Sequence, residues 1–324
     1  MQNDLLQVQA FTESSWATAG TPTVKLMQVK QFKITGDTKV ENPDTMLGQL
    51  GPGDQVVTLA HAGKFTFEQY GLYEDLCYWW ENLFMQATPS GAGPYDRAYN
   101  APLSSAPTVR PYTLMHGASG ASNAVRGVGS LVTDLEVKFS SRDYLMVSGS
   151  GVCKQVEQGQ TLASLNSRAV NHILGRHLAL YVDAIGGTIG STAIALSAFE
   201  GSLKVKAPRS LLDYINSPTA GDYSWQKYSA SLTLHVEWNA TTSPWTSEIL
   251  STTAPHRRLI RIQGDDTASR QMRLDMAAAS DGKIDFWKGK NGRCSVDVTY
   301  MLFNDSTFGN YLKTSVKNSL STLP

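Results

Sequence analysis

The sequence is poor in charged residues and has no excess of either sign. Charged residues make up 17% of its 324 residues, with 28 basic and 28 acidic side chains, against about 25% in typical globular proteins. A dedicated nucleic-acid-binding protein usually has a basic excess, so the composition argues against tight binding of DNA. Near-zero net charge favours association over dispersal, which suits a surface covered by copies of the same chain.

Cysteine is also scarce. Cys77, Cys153 and Cys294 lie far apart and show no CxxC or Cys/His spacing, which argues against a zinc site. An odd number of cysteines is typical of a cytoplasmic protein with buried free thiols. The first residues lack the basic start and apolar core of a signal peptide, and no apolar run approaches the length of a membrane span. We therefore expect synthesis in the cytoplasm and a soluble subunit until assembly.

Motifs for catalysis are missing as well. No G-x-S-x-G elbow is present, and the glycine-rich segment 186–190 lacks the Lys-Ser/Thr pair of a phosphate-binding loop. His172 and His177 are five residues apart, whereas two ligands on one helix face are more naturally four apart. The sequence predicts an ordinary turn and ordinary polar histidines at these positions.

Two acidic groups need the same test. Asp265-Asp266 and the pair Asp281 and Asp285 do not match the spacing of a calcium-binding EF-hand loop. We interpret them as solvated loop charges. The sequence thus predicts no catalytic residue, no metal ligand and no cofactor, and the expected protein is not an enzyme.

Aromatic and basic clusters each allow two interpretations. Trp79 and Trp80 lie in a segment with helical spacing of apolar residues, which favours packing on a sheet. The alternative is a sugar-stacking platform that would also use Trp225. The basic cluster 257–261 carries three arginines, and they could contact phosphates. We expect ion pairs between subunits instead.

Alternation of apolar and polar residues predicts a mainly β protein. In the first half, strands are expected at 24–34, 56–70, 127–139 and 143–153, a further strand within 108–115, and a helix at 73–84. In the second half, strands are expected at 178–182, 194–207, 224–238, 257–263, 270–276 and 293–303, and a helix at 244–250. The segments 1–23 and 304–324 are predicted to be terminal arms, and 155–170 a linker.

The order of elements occurs twice: strand, long loop, strand, short helix, loop, strands. The residues of the two halves are not similar. We therefore predict two domains, 1–165 and 166–324, each a β-sandwich with one flanking helix; two unrelated β-rich lobes are the alternative. The long loops 36–55 and 208–222 occupy the same place in both halves, and loops of this length usually have a function.

Several of these segments resemble siphovirus major tail tube proteins. The resemblance is carried by strand and turn patterns, which contain no catalytic chemistry. They are Thr21-Pro22-Thr23 before the first strand and the segments 63–68 (GKFTFE), 175–183 (GRHLALYVD), 186–190 (GGTIG), 199–203 (FEGSL), 228–234 (YSASLTL) and 257–262 (RRLIRI).

The resemblance implies tandem tail-tube-type β-sandwiches and a structural function. Subunits of this kind form homo-oligomeric rings, three copies of a two-fold chain or six of a single-fold chain, and the rings stack into a channel for DNA. It also implies location in the virion tail and contact with tape measure, terminator and distal tail proteins. The alternatives are another tail part, such as a terminator or baseplate subunit, a secretion-system tube, or a carbohydrate-binding β-sandwich.

Overall fold

The computed structural model describes residues 6–41, 57–105, 107–118, 122–194, 198–215, 217–251, 256–290 and 292–323. In these ranges the chain is mainly β, as the alternation predicts, with antiparallel strands and two short α-helices. None of the helices in these ranges is long and apolar enough to cross a membrane.

The elements follow one another along the chain as follows. The first half contains β1 (Leu6–Thr12), β2 (Val24–Leu26), β3 (Val29–Glu41), β4 (Val57–Tyr70), α1 (Leu76–Leu83), β5 (Tyr95–Asn100), β6 (Tyr112–Ala118), β7 (Ala124–Ser140), β8 (Met146–Cys153) and β9 (Gln155–Gln160). The second half contains β10 (Leu178–Ala184), β11 (Ala198–Lys206), β12 (Arg209–Leu212), β13 (Asp222–Trp225), β14 (Ser229–Glu237), α2 (Ser243–Ile249), β15 (Arg257–Thr267), β16 (Arg270–Lys290), β17 (Arg293–Leu302) and β18 (Leu312–Asn318).

Eight of these strands form one long antiparallel row, which we call the strand row. Its order is β3-β4-β8-β7-β11-β14-β17-β16. Apolar residues line up across strands on one face; Leu203, for example, lies opposite both Val137 and Leu232. A register shifted by one residue would move these side chains to the opposite face, so their burial fixes the pairing.

The strand row has the same order in both halves. The four first-half strands run β3-β4-β8-β7, and the four second-half strands run β11-β14-β17-β16. In both halves, the strand that comes last along the chain lies between the second and the third. The long strands β7 and β16 each pair with two groups of strands. The first residues of each strand lie outside the row and pair with a second group. β7 pairs there with β6 and β9, and β16 pairs with β15 and β18. β1 borders β6 as β10 borders β15.

The core lies between the strand row and the other layers, and α1 is entirely buried in it. The Trp79 ring stacks on Phe67 of β4 with centroids 3.8 Å apart. Trp79 Nε1 donates to the Gln69 side chain at 2.7 Å, so its one polar atom is satisfied inside the core. The predicted helix at 73–84 is thus confirmed with slightly shorter bounds.

Contacts also run between the two halves. β7 pairs with β11 in the strand row, and β18 pairs with β5 as well as with β16. Buried Arg97 donates to Asn318 Oδ1 at 3.2 Å and to the Leu320 carbonyl at 2.6 Å. The division into domains at 165 and 166 stays a prediction.

Several predicted arms and loops are regular structure. The expected arm 1–23 contains β1, the expected linker contains β9, and the expected tail contains β18, all paired within the chain. β9 is mostly polar and is held by backbone hydrogen bonds to β7. β1 and β18 alternate and bury apolar residues such as Val8 and Val316, a strand pattern that the predicted arm and tail overlooked. The segment 208–222 contains β12 and opens the β12–β13 hairpin, and the strand expected at 224–238 is interrupted between β13 and β14. Residues 36–41 of the other predicted loop extend β3, and its remainder, 42–55, lies outside the described residues.

Candidate functional surface

The strand row has one polar face, opposite the core. Alternation places a buried residue at every second position, such as Leu135 and Val137 of β7, and turns Asp134, Glu136 and Lys138 to the other side. The charged side chains of this face include Lys33, Asp37, Lys64, Glu68, Asp134, Glu136, Lys138, Glu200, Lys204, Lys206, Glu237, Arg293 and Asp297. Basic and acidic groups are interspersed over all these strands, so the face carries no strong field of one sign.

Ion pairs join many of these charges. Lys64 Nζ lies 2.7 Å from Asp37, and Lys30 Nζ lies 2.9 Å from Glu68, which links β3 to β4. Glu136 accepts both Lys138 at 3.1 Å and Lys204 at 3.5 Å, which links β7 to β11.

On the second half of the row, Arg293 lies 2.7 Å from Glu237, and His235 contacts Asp297. Exposed pairs such as Lys64 with Asp37 contribute little stability, typically less than about 1 kcal/mol each. Their main effect is on the local electrostatic potential, because the carboxylate of each pair neutralises the cation beside it.

Among the described residues, the strand row ends in two strands that each have one side without a partner strand. Within the described residues, β3 has β4 as its only partner strand. At the other end, β17 borders the second half of β16, while the first half of β16 holds β15 and β18. An open strand edge is a template for pairing with another chain.

The carboxylates predicted to be solvated loop charges lie in strands instead, Asp265 and Asp266 in β15 and Asp281 and Asp285 in β16. Asp266 lies 2.6 Å from Arg270, and Asp281 accepts the backbone N–H of Lys283 at 2.9 Å at an irregularity of β16. In the part of the chain that the structure describes, no three His, Cys, Asp or Glu side chains are grouped so that they could hold a metal ion.

The glycine-rich turn at 186–190 is occupied by a carboxylate of the chain itself. Asp183 accepts the backbone N–H groups of Gly190 at 2.7 Å and Thr192 at 2.8 Å, and the Ser191 hydroxyl at 2.7 Å. Burial raises the pKa of Asp183, but these hydrogen bonds outweigh burial and lower it overall. The donors that a phosphate would need are therefore already used.

The two histidines do not come together. His172 packs against the rings of Tyr70 and Tyr144, whereas His177 lies 3.8 Å from Asp266. They serve separate local contacts.

The tryptophans do not form a common surface. Trp79 is 2% exposed and Trp80 is 0% exposed, so neither can stack on a sugar. Trp225 lies against Arg209, whose guanidinium is 4.6 Å from the ring centroid. Core packing of the helix aromatics is confirmed, and the platform using all three tryptophans is wrong.

The basic cluster is paired within the chain. Arg261 makes two hydrogen bonds to Asp275, at 2.6 and 2.8 Å, and Arg258 pairs with Glu248. Arg257 lies over the Phe303 ring at 5.1 Å. Arg258 and Arg261 therefore form ion pairs within the chain. The expected ion pairs between subunits stay a prediction. The thiols need a correction, since Cys77 and Cys153 are buried but Cys294 is exposed.

Sequence reasoning missed two buried polar clusters. Arg168, in the expected linker, pairs with the buried carboxylate of Asp75 at the start of α1. Arg209, in the expected loop, donates to the carbonyls of Asn82 and Leu83 at 2.9 Å each and so caps the end of α1. Lone charged residues in polar segments give no signal of such partners.

No protein-family model matches the chain, and no curated protein resembles it significantly in sequence.

Proposed function

We propose that this chain is the structural subunit of a phage tail tube, built from tandem tail-tube-type folds, that forms stacked rings around a channel for DNA. The observation that carries the proposal is the strand row: eight strands, with one four-strand order used twice and an open strand at each end. The resemblance of its segments to siphovirus tail tube proteins agrees with this. The subunit does its work through interfaces and has no catalytic site.

The strand row suits closure into a barrel. Pairing of β3 in one copy with the second half of β16 in the next repeats head to tail, and such a contact closes into a ring when the rotation is right. Three copies then give about 24 strands. At about 4.8 Å between strands and a tilt of about 40°, the circumference is roughly 150 Å. After side chains are subtracted, an opening of roughly 35–40 Å remains, which is wide enough for a DNA duplex.

The charge pattern suits a conduit. Each Lys or Arg contact with a phosphate adds salt-sensitive affinity, and a basic lumen repeated in every ring would hold DNA strongly. If the polar face lines the channel, ion pairs such as Lys204 with Glu136 reduce that attraction. Passage of DNA requires such a surface.

Electron microscopy and native mass spectrometry of the purified protein test the proposal. We expect rings with an open lumen and a mass of three times the 35.3 kDa chain, stacking into tubes of uniform width. A species that stays monomeric at high concentration would refute it. Closed rings that never stack would instead favour a terminator, and no observation on this chain favours that reading.

A further inference from the structure

The tip of the β12–β13 hairpin exposes apolar side chains to solvent. Ile215 is 95% exposed and Tyr214 is 55% exposed, and Asp213 next to them is exposed as well. At the base of the hairpin, Arg209 of β12 donates a hydrogen bond to the end of α1 and holds the hairpin in place. Near the tip, the Pro218 carbonyl accepts the His61 N–H of β4 at 2.8 Å. The hairpin is therefore an anchored projection that presents an apolar tip.

An apolar pocket lies in the middle of the strand row, at the end of β7 and the start of β11. It has a volume of about 440 Å³, and its lining includes Phe139, Leu178, Leu180, Phe199 and Ile262. Ser140 and Glu200, which pair with each other at the ends of β7 and β11, border it. Arg176 stands at its rim and is exposed, with no carboxylate within ion-pair distance among the described residues.

The strand registers fix the separation of tip and pocket. The tip contacts His61, near the start of β4, whereas Tyr70 at the end of β4 pairs with Met146, which in turn pairs with Lys138 beside the pocket. At about 3.3 Å per residue, His61 and Tyr70 are roughly 30 Å apart along the strand. The tip cannot reach the pocket of its own chain.

We propose that Tyr214 and Ile215 insert into this pocket of a second copy, in the neighbouring ring. Three observations point to that occupant. The tip and the pocket are both apolar, and the charge of Asp213 on the tip complements that of Arg176 on the rim. The tip and the pocket also lie at opposite ends of the strands within one molecule. A contact between opposite ends is heterologous and repeats by translation, as stacking of rings requires. This inference rests on the proposed function, which supplies the stacked rings.

A cross-linking experiment tests the contact. Ile215→Cys and Ala179→Cys are combined in a Cys294→Ser background, which removes the one exposed native thiol. After assembly and oxidation, a non-reducing gel should show a ladder of dimers, trimers and longer products, because every copy carries both a tip and a pocket. The matched control replaces Ala179→Cys by Leu103→Cys, an exposed position outside the pocket, and should stay mainly monomeric.

The outcomes separate the two proposals. Tubes in the microscope without a ladder would overturn the contact and leave the tube reading intact. Absence of rings and tubes from the unmodified protein would overturn both. As a second measurement, Ile215→Asp should keep its fold by circular dichroism and form rings, but at least tenfold fewer tubes. Normal tube numbers from that variant would also overturn the contact.

Discussion

Replacement of Arg168 by methionine is expected to destabilise the protein in a pH-dependent way. Arg168 pairs with Asp75, which is buried, and also donates to the Lys25 carbonyl at 3.2 Å. Asp75 Oδ2 accepts the Met27 N–H at 2.7 Å and the Gln69 amide at 2.6 Å. Burial raises the pKa of Asp75 to about 6 from its ordinary 3.8, although the Arg168 charge lowers it.

The sign of the pH dependence follows from these values. Between pH 3.8 and 6 the folded protein holds a proton on Asp75 that the unfolded chain has released. Stability therefore falls as pH rises through this window, by about 3 kcal/mol at 1.36 kcal/mol per pKa unit. Without Arg168 the pKa rises further, and the window extends upward.

The magnitude has an upper bound. At pH 7.5, a variant that kept Asp75 protonated would lose at most about 5 kcal/mol of folding stability, because the unfolded chain has released this proton. The raised pKa already costs the unmodified protein about 3 kcal/mol of that amount. The lost charge thus adds up to about 2 kcal/mol, and the lost hydrogen bonds add about 1–2 more. We expect a loss of about 2–4 kcal/mol at pH 7.5 but only about 1–2 at pH 5.

Urea unfolding followed by tryptophan fluorescence measures both values. Arg142→Met is the matched control, since Arg142 is exposed, and it should change stability by less than about 0.5 kcal/mol. An equal loss at pH 5 and pH 7.5, or a loss below about 1 kcal/mol at pH 7.5, would refute the assignment of Asp75 as a buried titrating group.

Three further predictions concern the C-terminal strand, the thiols and the polar face. Asn318→Ala removes a hydrogen-bond partner of Arg97 and a hydrogen bond to the Tyr73 carbonyl, so thermal unfolding should show a loss of about 2–3 kcal/mol in stability. The control Ser319→Ala should be neutral, and equal effects of the two changes would contradict the role of Asn318. A thiol reagent should modify Cys294 alone in the native protein, because burial raises the pKa of Cys77 to about 11 and of Cys153 to about 12; rapid reaction of a second thiol would count against that burial. Glu136→Lys should make assembled particles bind duplex DNA at about 50 mM salt and release it at higher salt, as read by fluorescence anisotropy. Unchanged DNA binding would show that Glu136 does not neutralise Lys138 and Lys204 at a surface that DNA reaches.

The strands of the row were predictable because they alternate. Val296, Val298 and Tyr300 of β17 are buried on one side, and the residues between them face away, as the pattern indicates. The hairpin of β7 and β8 was predictable for the same reason, with a short polar connection between two alternating segments.

Strands that depend on a partner were not predictable. The segment Gln155–Gln160 has Val156 as its one apolar residue, and it is a strand because β7 offers it hydrogen bonds. The strand predicted at 270–276 continues to Lys290 in β16, and its division between two groups of strands was not predictable, because alternation stops where Met276, Ala277 and Ala278 are all buried. Pairs such as Arg168 with Asp75 join residues far apart in sequence, so composition and spacing cannot reveal them.

The pairing of β18 with β5 means that the first half of the chain cannot finish folding before the last strand is synthesised. Residues 312–318 leave the ribosome after everything before them, yet they supply the strand beside β5 and the side chain that satisfies Arg97. A nascent chain of the first half alone would hold a buried guanidinium without that partner, which is unfavourable. The first half of the chain is thus completed only after the last strand has been synthesised.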